Sequence, residues 1–216
     1  ILYRLVGSEM CIRDSHIARF FRPTFLEVFE LTNTQFGDVI AVYGIVALLA
    51  YFPGGAMADH FSARKLMTLS LCCTALGGFY LYTIPSVTGL YFVYGYFGLT
   101  TILLFWAAMI KATRDWGGHN SQGLAFGFLD GGRGLMASIA ASIAVVIFSS
   151  ILGEQLTDAT ASKEALQSVI FFYCCATLTA AFCVWFVIPH VKPSSLGATA
   201  RIGTVSYTHL RAHETV

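Results

Sequence analysis

From Leu66 to Ile110 the chain carries no Asp, Glu, Lys or Arg, and from Phe36 to Ala58 its single charge is Asp38. Uncharged apolar runs longer than about 18 residues read as helices crossing a bilayer. The expected class is therefore an all-α integral membrane protein. Composition agrees: 56% of the residues are hydrophobic and 12% charged, against about 45–50% and 25% in soluble domains, and the mean hydropathy is +0.68. A formal net charge of +1 supplies no basic field for nucleic acid, so no nucleic-acid partner is expected. What matters is where the charges fall along the chain.

They divide it into five complete spans: residues 36–58, 66–84, 90–110, 123–152 and 166–189. The first, residues 36–58, is long enough at about 1.5 Å per residue to cross a ~30 Å core. Residues 16–31 read as the end of an earlier helix. Pro85-Ser-Val-Thr-Gly89 makes a tight turn between the second and third spans, and Lys111–Gln122 a polar loop between the third and fourth. Short loops rich in Lys and Arg stay in the cytoplasm. Arg64, Lys65, Lys111, Arg114, Lys192 and Arg201 fall on one side, whereas the other side has Lys163 among Glu154, Asp158 and Glu164. The loop after the first complete span is therefore expected in the cytoplasm, and the protein in a plasma membrane of the bacterial inner-membrane type.

The two ends stand apart. Leu5–Asp14, LVGSEMCIRD, can be encoded as CTC GTG GGC TCG GAG ATG TGT ATA AGA GAC. The opposite strand of that DNA translates as VSYTHLRAHE, which is Val205–Glu214. A folded protein has no reason to encode both strands of one sequence at its two ends, so residues 1–15 and 205–216 are expected to be translated sequencing adapter. Residues 16–189 then form the membrane unit, and residues 190–204 begin a cytoplasmic loop. Sequencing the intact locus checks this, since the natural gene should carry different residues at both ends.

The charged island between the first two complete spans is Gly54-Gly-Ala-Met-Ala-Asp59-His-Phe-Ser-Ala-Arg64-Lys65. It resembles the signature loop between the second and third helices of the major facilitator superfamily, Gly-x-x-x-Asp-x-x-x-x-Arg-Arg/Lys, matched by Gly55, Asp59, Arg64 and Lys65. The sequence departs from the pattern at Ala63, where the family has glycine, and at His60, where it has a basic residue. The resemblance implies helices one (its end) to six of a twelve-helix fold, with the C-terminal half of the protein missing. It also implies roles: Gly55 for close helix approach, and Asp59 with the basic pair as a latch between the two halves. Arg114, at the end of the fourth helix, would join that gating network.

Ionisable residues inside spans mark function by default, because a charge at membrane depth is costly. Asp130 and Arg133 in Leu129-Asp-Gly-Gly-Arg-Gly134 fall about 10 and 15 Å into their helix, three residues apart on one face. Either Arg133 binds an anionic solute with Asp130 as partner or proton-linked acid, or the two form a buried structural pair behind a glycine-rich contact. Arg22, beside Pro23 and Glu27 on the first helix, and Lys111 are further candidates for solute or coupling. Trp106, Tyr43 and Tyr173 are either cavity-lining or packing aromatics.

Cys72, Cys73, Cys174, Cys175 and Cys183 lack Cys-x-x-Cys spacing, so no metal centre and no cofactor are expected. Gly131-Gly-Arg-Gly134 lacks the Gly-Lys-Ser/Thr ending of a phosphate loop, and no nucleophile–base arrangement appears. The expected function is secondary active transport of a small polar, anionic solute, with a looser similarity to sugar-phosphate permeases. No enzymatic activity is expected. The alternative is a non-transporting receptor or scaffold on the same fold.

Overall fold

The computed structural model describes residues 17–18, 20–118, 120–153 and 159–188. The two end segments, the beginning of the loop at 190–204, and Glu154 and Asp158 lie outside the described residues. Within them the chain is helical, with no strand. A short α1 (Arg22–Val28) precedes α2 (Asn33–His60), α3 (Ala63–Tyr82), α4 (Val87–Gly117), α5 (Gln122–Leu152) and α6 (Ala159–Val187). Four of these, α2, α4, α5 and α6, are long and apolar enough to cross a membrane. The 20 residues of α3 reach about 30 Å, with Arg64 and Lys65 in the first turn.

Local sequence explains the ends. Thr32 caps α2 through its side chain, accepting from the Gln35 N–H at 3.2 Å, while Gln35 Oε1 accepts from the Thr32 N–H at 2.9 Å. This reciprocal box satisfies two orphan donors at the helix start. Gly118 and Gly153, both at positive φ, stop α4 and α5 as only glycine does without strain. The helices run past the apolar stretches that announce them. Lys111–Gly117, expected as loop, forms the last turns of α4, because a polar helix end outside the hydrocarbon has water to meet its side chains. The start of α6 likewise lies ahead of its apolar run.

Besides a small cluster of Ala47, Ala50 and Ile102, the bundle core has two large parts. One, around Phe25, Val39, Leu90, Phe97, Leu166 and Tyr173, fills the end where the Pro85 turn lies. The other, around Met67, Leu71, Phe105, Met109, Leu129 and Val184, fills the end that holds Arg64 and Lys111, which the basic loops place in the cytoplasm. The most extensive packing is of α3 against α6 and of α2 against α4. On α3 the buried positions recur as Leu66, Met67, Ser70, Leu71, Thr74, Ala75, Gly77 and Gly78, a stripe at helical spacing rich in small residues. Small residues let membrane helices approach closely.

α4 is not a uniform helix. Leu99–Trp106 is a π-helix of 8 residues between α-helical flanks Val87–Gly98 and Ala107–Gly117.

Candidate functional site

At the cytoplasmic end, α2 stops at His60 and α3 starts at Ala63, so Asp59 closes one helix and the basic pair opens the next. Asp59 is exposed and makes no hydrogen bond or ion pair among the described residues. The expected Asp59–arginine pairing is not formed here, because Arg64 is engaged elsewhere. Its guanidinium lies over the Trp185 ring of α6, 4.4 Å from the centroid, and its buried Nε has no partner. Lys65 is exposed.

The group that does reach the end of α2 is Lys111, whose Nζ donates to the Ala58 carbonyl at 2.7 Å. The last carbonyls of a helix lack intrahelical donors and carry the negative end of its dipole, so an ammonium is favoured there. Lys111, expected as a solute or coupling residue, is thus tied to the signature loop. Arg114, expected in that network, is exposed and has no partner among the described residues.

Close helix approach falls to a different glycine from the one expected. A Cβ on Gly55 would meet nothing within 4 Å, whereas one on Gly54 would stand 3.3 Å from the Leu103 carbonyl oxygen and 3.4 Å from that of Ile102. Successive residues on a helix point about 100° apart, and it is Gly54 that faces α4.

Nearer mid-membrane, Arg133 Nη1 donates to Asp130 Oδ1 at 3.3 Å, and the Arg133 guanidinium sits 5.5 Å from the centroid of the Trp106 ring. Within this chain the pair is open: the Asp130 side chain is 71% and the Arg133 side chain 31% accessible. Gly127, Gly131 and Gly134 beside them have open space where a Cβ would be. Arg133 lies eleven residues after Gln122, about 16 Å along the helix. At that depth a charged side chain facing lipid costs about 2.5–3.5 kcal/mol on insertion scales. This face of α5 is therefore one that meets water or protein.

Arg22 is placed elsewhere. Its Nη2 donates to Asn33 Oδ1 at 2.9 Å and its guanidinium lies 5.3 Å from the Phe36 ring centroid, where α1 turns into α2 at the end opposite the signature loop. Tyr173 is core, and Tyr43 bonds Thr101 at 3.4 Å.

Sequence reading passed over the hydroxyls around the π segment. Ser70 Oγ donates to the Thr100 carbonyl at 2.6 Å, Thr74 Oγ1 to Thr100 Oγ1 at 3.2 Å and Thr101 Oγ1 to the Phe97 carbonyl at 2.6 Å. The available signal was Gly98-Leu-Thr-Thr101 in the middle of an otherwise apolar helix.

A family profile described as Major Facilitator Superfamily matches residues 14–213. Two inner membrane proteins of Escherichia coli strain K12 are similar. YqcE is 31% identical over 157 residues, covering 73% of this chain and 35% of that protein. YihN is 31% identical over 191 residues, covering 87% and 42%. A Mycoplasma pneumoniae protein named as an uncharacterized MG294 homolog is 26% identical over 174 residues, 76% of this chain and 36% of that protein. The chain thus spans well under half the length of these relatives. No solved structure matches.

Proposed function

The chain belongs to the major facilitator superfamily, an integral inner-membrane protein, and on that premise we propose that the protein it forms part of is a secondary active transporter of a small, polar, anionic organic solute. The observation that carries the solute reading is Arg133: a guanidinium at membrane depth, 31% accessible, braced by Trp106 on one side and neutralised in part by the more exposed Asp130. A fixed cation on a face closed to lipid attracts an anion. Asp130 answers the charge of Arg133 when no solute is present and is placed to yield it, or to take a proton, when a solute arrives. An ion gradient or exchange supplies the drive, and the opposing wall of the path comes from a second six-helix half beyond this stretch.

The Gly54–Lys65 loop serves as the cytoplasmic gate. Asp59 has no partner among the described residues, which leaves it available to the other half, and Lys111 secures the helix end on which Asp59 stands. Gly55, with open space beside it, faces the same way out of this six-helix unit. Arg114 and Lys65 contribute exposed charge at that surface. Arg22 serves the α1–α2 junction through Asn33.

The test uses the intact protein in proteoliposomes with a panel of small organic anions, phosphorylated sugars among them, and neutral sugars as the comparison. For the anion that is taken up, Arg133→Gln is expected to reduce uptake at least 100-fold with expression unchanged. Arg133→Lys keeps the charge but loses the planar fork, and should retain a small fraction of the activity. Unaltered uptake in Arg133→Gln, or uptake restricted to neutral sugars, would overturn the reading.

A further inference from the structure

The π segment of α4 ends on Trp106, which meets the functional face, and precedes Lys111, which meets the gate. A π turn closes i→i+5 instead of i→i+4 and so takes up one residue more than an α turn; such turns concentrate at functional sites. If one π turn tightens to α, everything after it rotates by about 100° and moves about 1.5 Å along the axis. What lies after it here is Trp106, the last residue of the segment, and Lys111 in the C-terminal flank. Trp106 braces Arg133; Lys111 holds the Ala58 carbonyl. One rotation breaks both.

The surroundings are built to hold the wide turn. A π turn hands each carbonyl to the N–H five residues on, and a carbonyl has a second lone pair that can take another donor. Ser70 of α3 donates to the Thr100 carbonyl, with Thr74 donating to the Thr100 hydroxyl and Tyr43 of α2 beside the Thr101 hydroxyl. The swollen backbone also needs room. Gly98 lies so close to α2 that a Cβ would come within 2.6 Å of the Tyr43 carbonyl oxygen, and Gly54 faces the carbonyls of Ile102 and Leu103. Hydroxyls and glycines on all three helices converge on the segment, and the Ser70 bond to the Thr100 carbonyl is one that a change of register has to break.

We propose that the π turn is a register switch that positions Trp106 and Lys111 together. In the π register, Trp106 seats Arg133 while Lys111 holds the end of α2 that bears Asp59. In the α register both are withdrawn, which links the state of the charged pair to that of the gate. Trp106, Ser70 and Gly54 are positioning residues in this scheme, acting through Arg133 and the α2 terminus. The link to solute movement rests on the transport reading, but the switch itself is tested without any solute.

Thr113, 2% exposed, lies after the switch near the cytoplasmic surface. Val184, 0% exposed, lies in the same inner core on α6. In the intact protein with its native cysteines replaced, single Thr113→Cys and Val184→Cys chains are labelled with a membrane-impermeant maleimide in inside-out vesicles. Ser70→Ala, and separately Thr100→Val, should raise the Thr113→Cys labelling rate at least fivefold and leave Val184→Cys closed. Deleting Leu99 from the π segment absorbs the extra residue with both flanks in register, and should return Thr113→Cys labelling in the Ser70→Ala background to its starting rate. The switch is overturned if neither hydroxyl variant alters Thr113→Cys labelling, if Val184→Cys opens in parallel, or if the deletion fails to restore protection. Those results leave the uptake experiment on Arg133 untouched, and its failure would leave the switch untouched.

Discussion

α4 and α5 are both 31 residues long, yet 56% of the most apolar window of α4 is buried in the bundle and only 17% of that of α5. The more apolar helix is the less buried one. In water this would be a misfolded arrangement; in a membrane protein it is not, because exposed apolar side chains such as Leu124, Phe128, Leu135 and Val146 of α5 cost nothing against hydrocarbon or further protein. What must be buried in a membrane are the polar groups. α4 accordingly brings Thr100 and Thr101 inward, where Ser70, Thr74 and Tyr43 meet them, and it packs by glycine against α2 and α3. α5 carries its polar groups on an open face instead, as Asp130, Arg133 and a strip of small residues. One helix is polar within and holds the unit together; the other is polar without and offers that polarity to solvent, solute or further protein.

The contrast can be broken most directly at glycine. Gly98→Ala puts a methyl group 2.6 Å from the Tyr43 carbonyl oxygen and 3.2 Å from the Ala47 nitrogen, both backbone, so α2 must shift; the expected loss is about 2–3 kcal/mol. Gly127→Ala on α5 meets nothing within 4 Å and should be neutral or slightly stabilising through helix propensity. Unfolding midpoints of the purified chain in detergent compare the two, and equal losses would mean that α5 is as tightly covered as α4.

A second pair approaches the same seam from α2. Gly54→Ala brings a methyl group 3.3 Å from a carbonyl of the π segment and should cost about 1 kcal/mol, whereas Gly55→Ala should leave the same midpoint unmoved. A reversed order would reinstate Gly55 as the packing glycine.

The smallest difference is in the hydroxyls. Ser70→Ala removes a buried interhelical bond, which in membrane proteins is worth about 0.6 kcal/mol on average and up to about 1.7. Ser138→Ala removes a bond from the Ser138 hydroxyl to the Gly134 carbonyl of its own helix, 3.0 Å long on the exposed face, and should change nothing measurable. Thermal midpoints under identical lipid and detergent conditions resolve the two if replicates agree to within about one degree.

Much of this molecule is legible along the chain. Long uncharged runs define the spans, alternating basic loops define their direction, and Gly55, Asp59, Arg64 and Lys65 define the family. Asp130 and Arg133 stand out because a charge in an apolar helix needs a reason. Other features are not legible for definite reasons. Gly54 and Gly55 are neighbours of identical type, and only the position of α4 decides which is packed. Lys111 and Arg114 are both basic residues near a helix end, and only the reach to Ala58 separates them.

Sequence by itself determined the all-helical membrane class, the family and the long apolar helices, because those outcomes depend on local polarity and length. Tertiary structure alone decided the π register of Leu99–Trp106, the seating of Arg133 on Trp106 and of Arg64 on Trp185, and the open face of α5. Each of these turns on donors, rings and gaps supplied by helices distant in the chain, and no single helix carries them in its own residues.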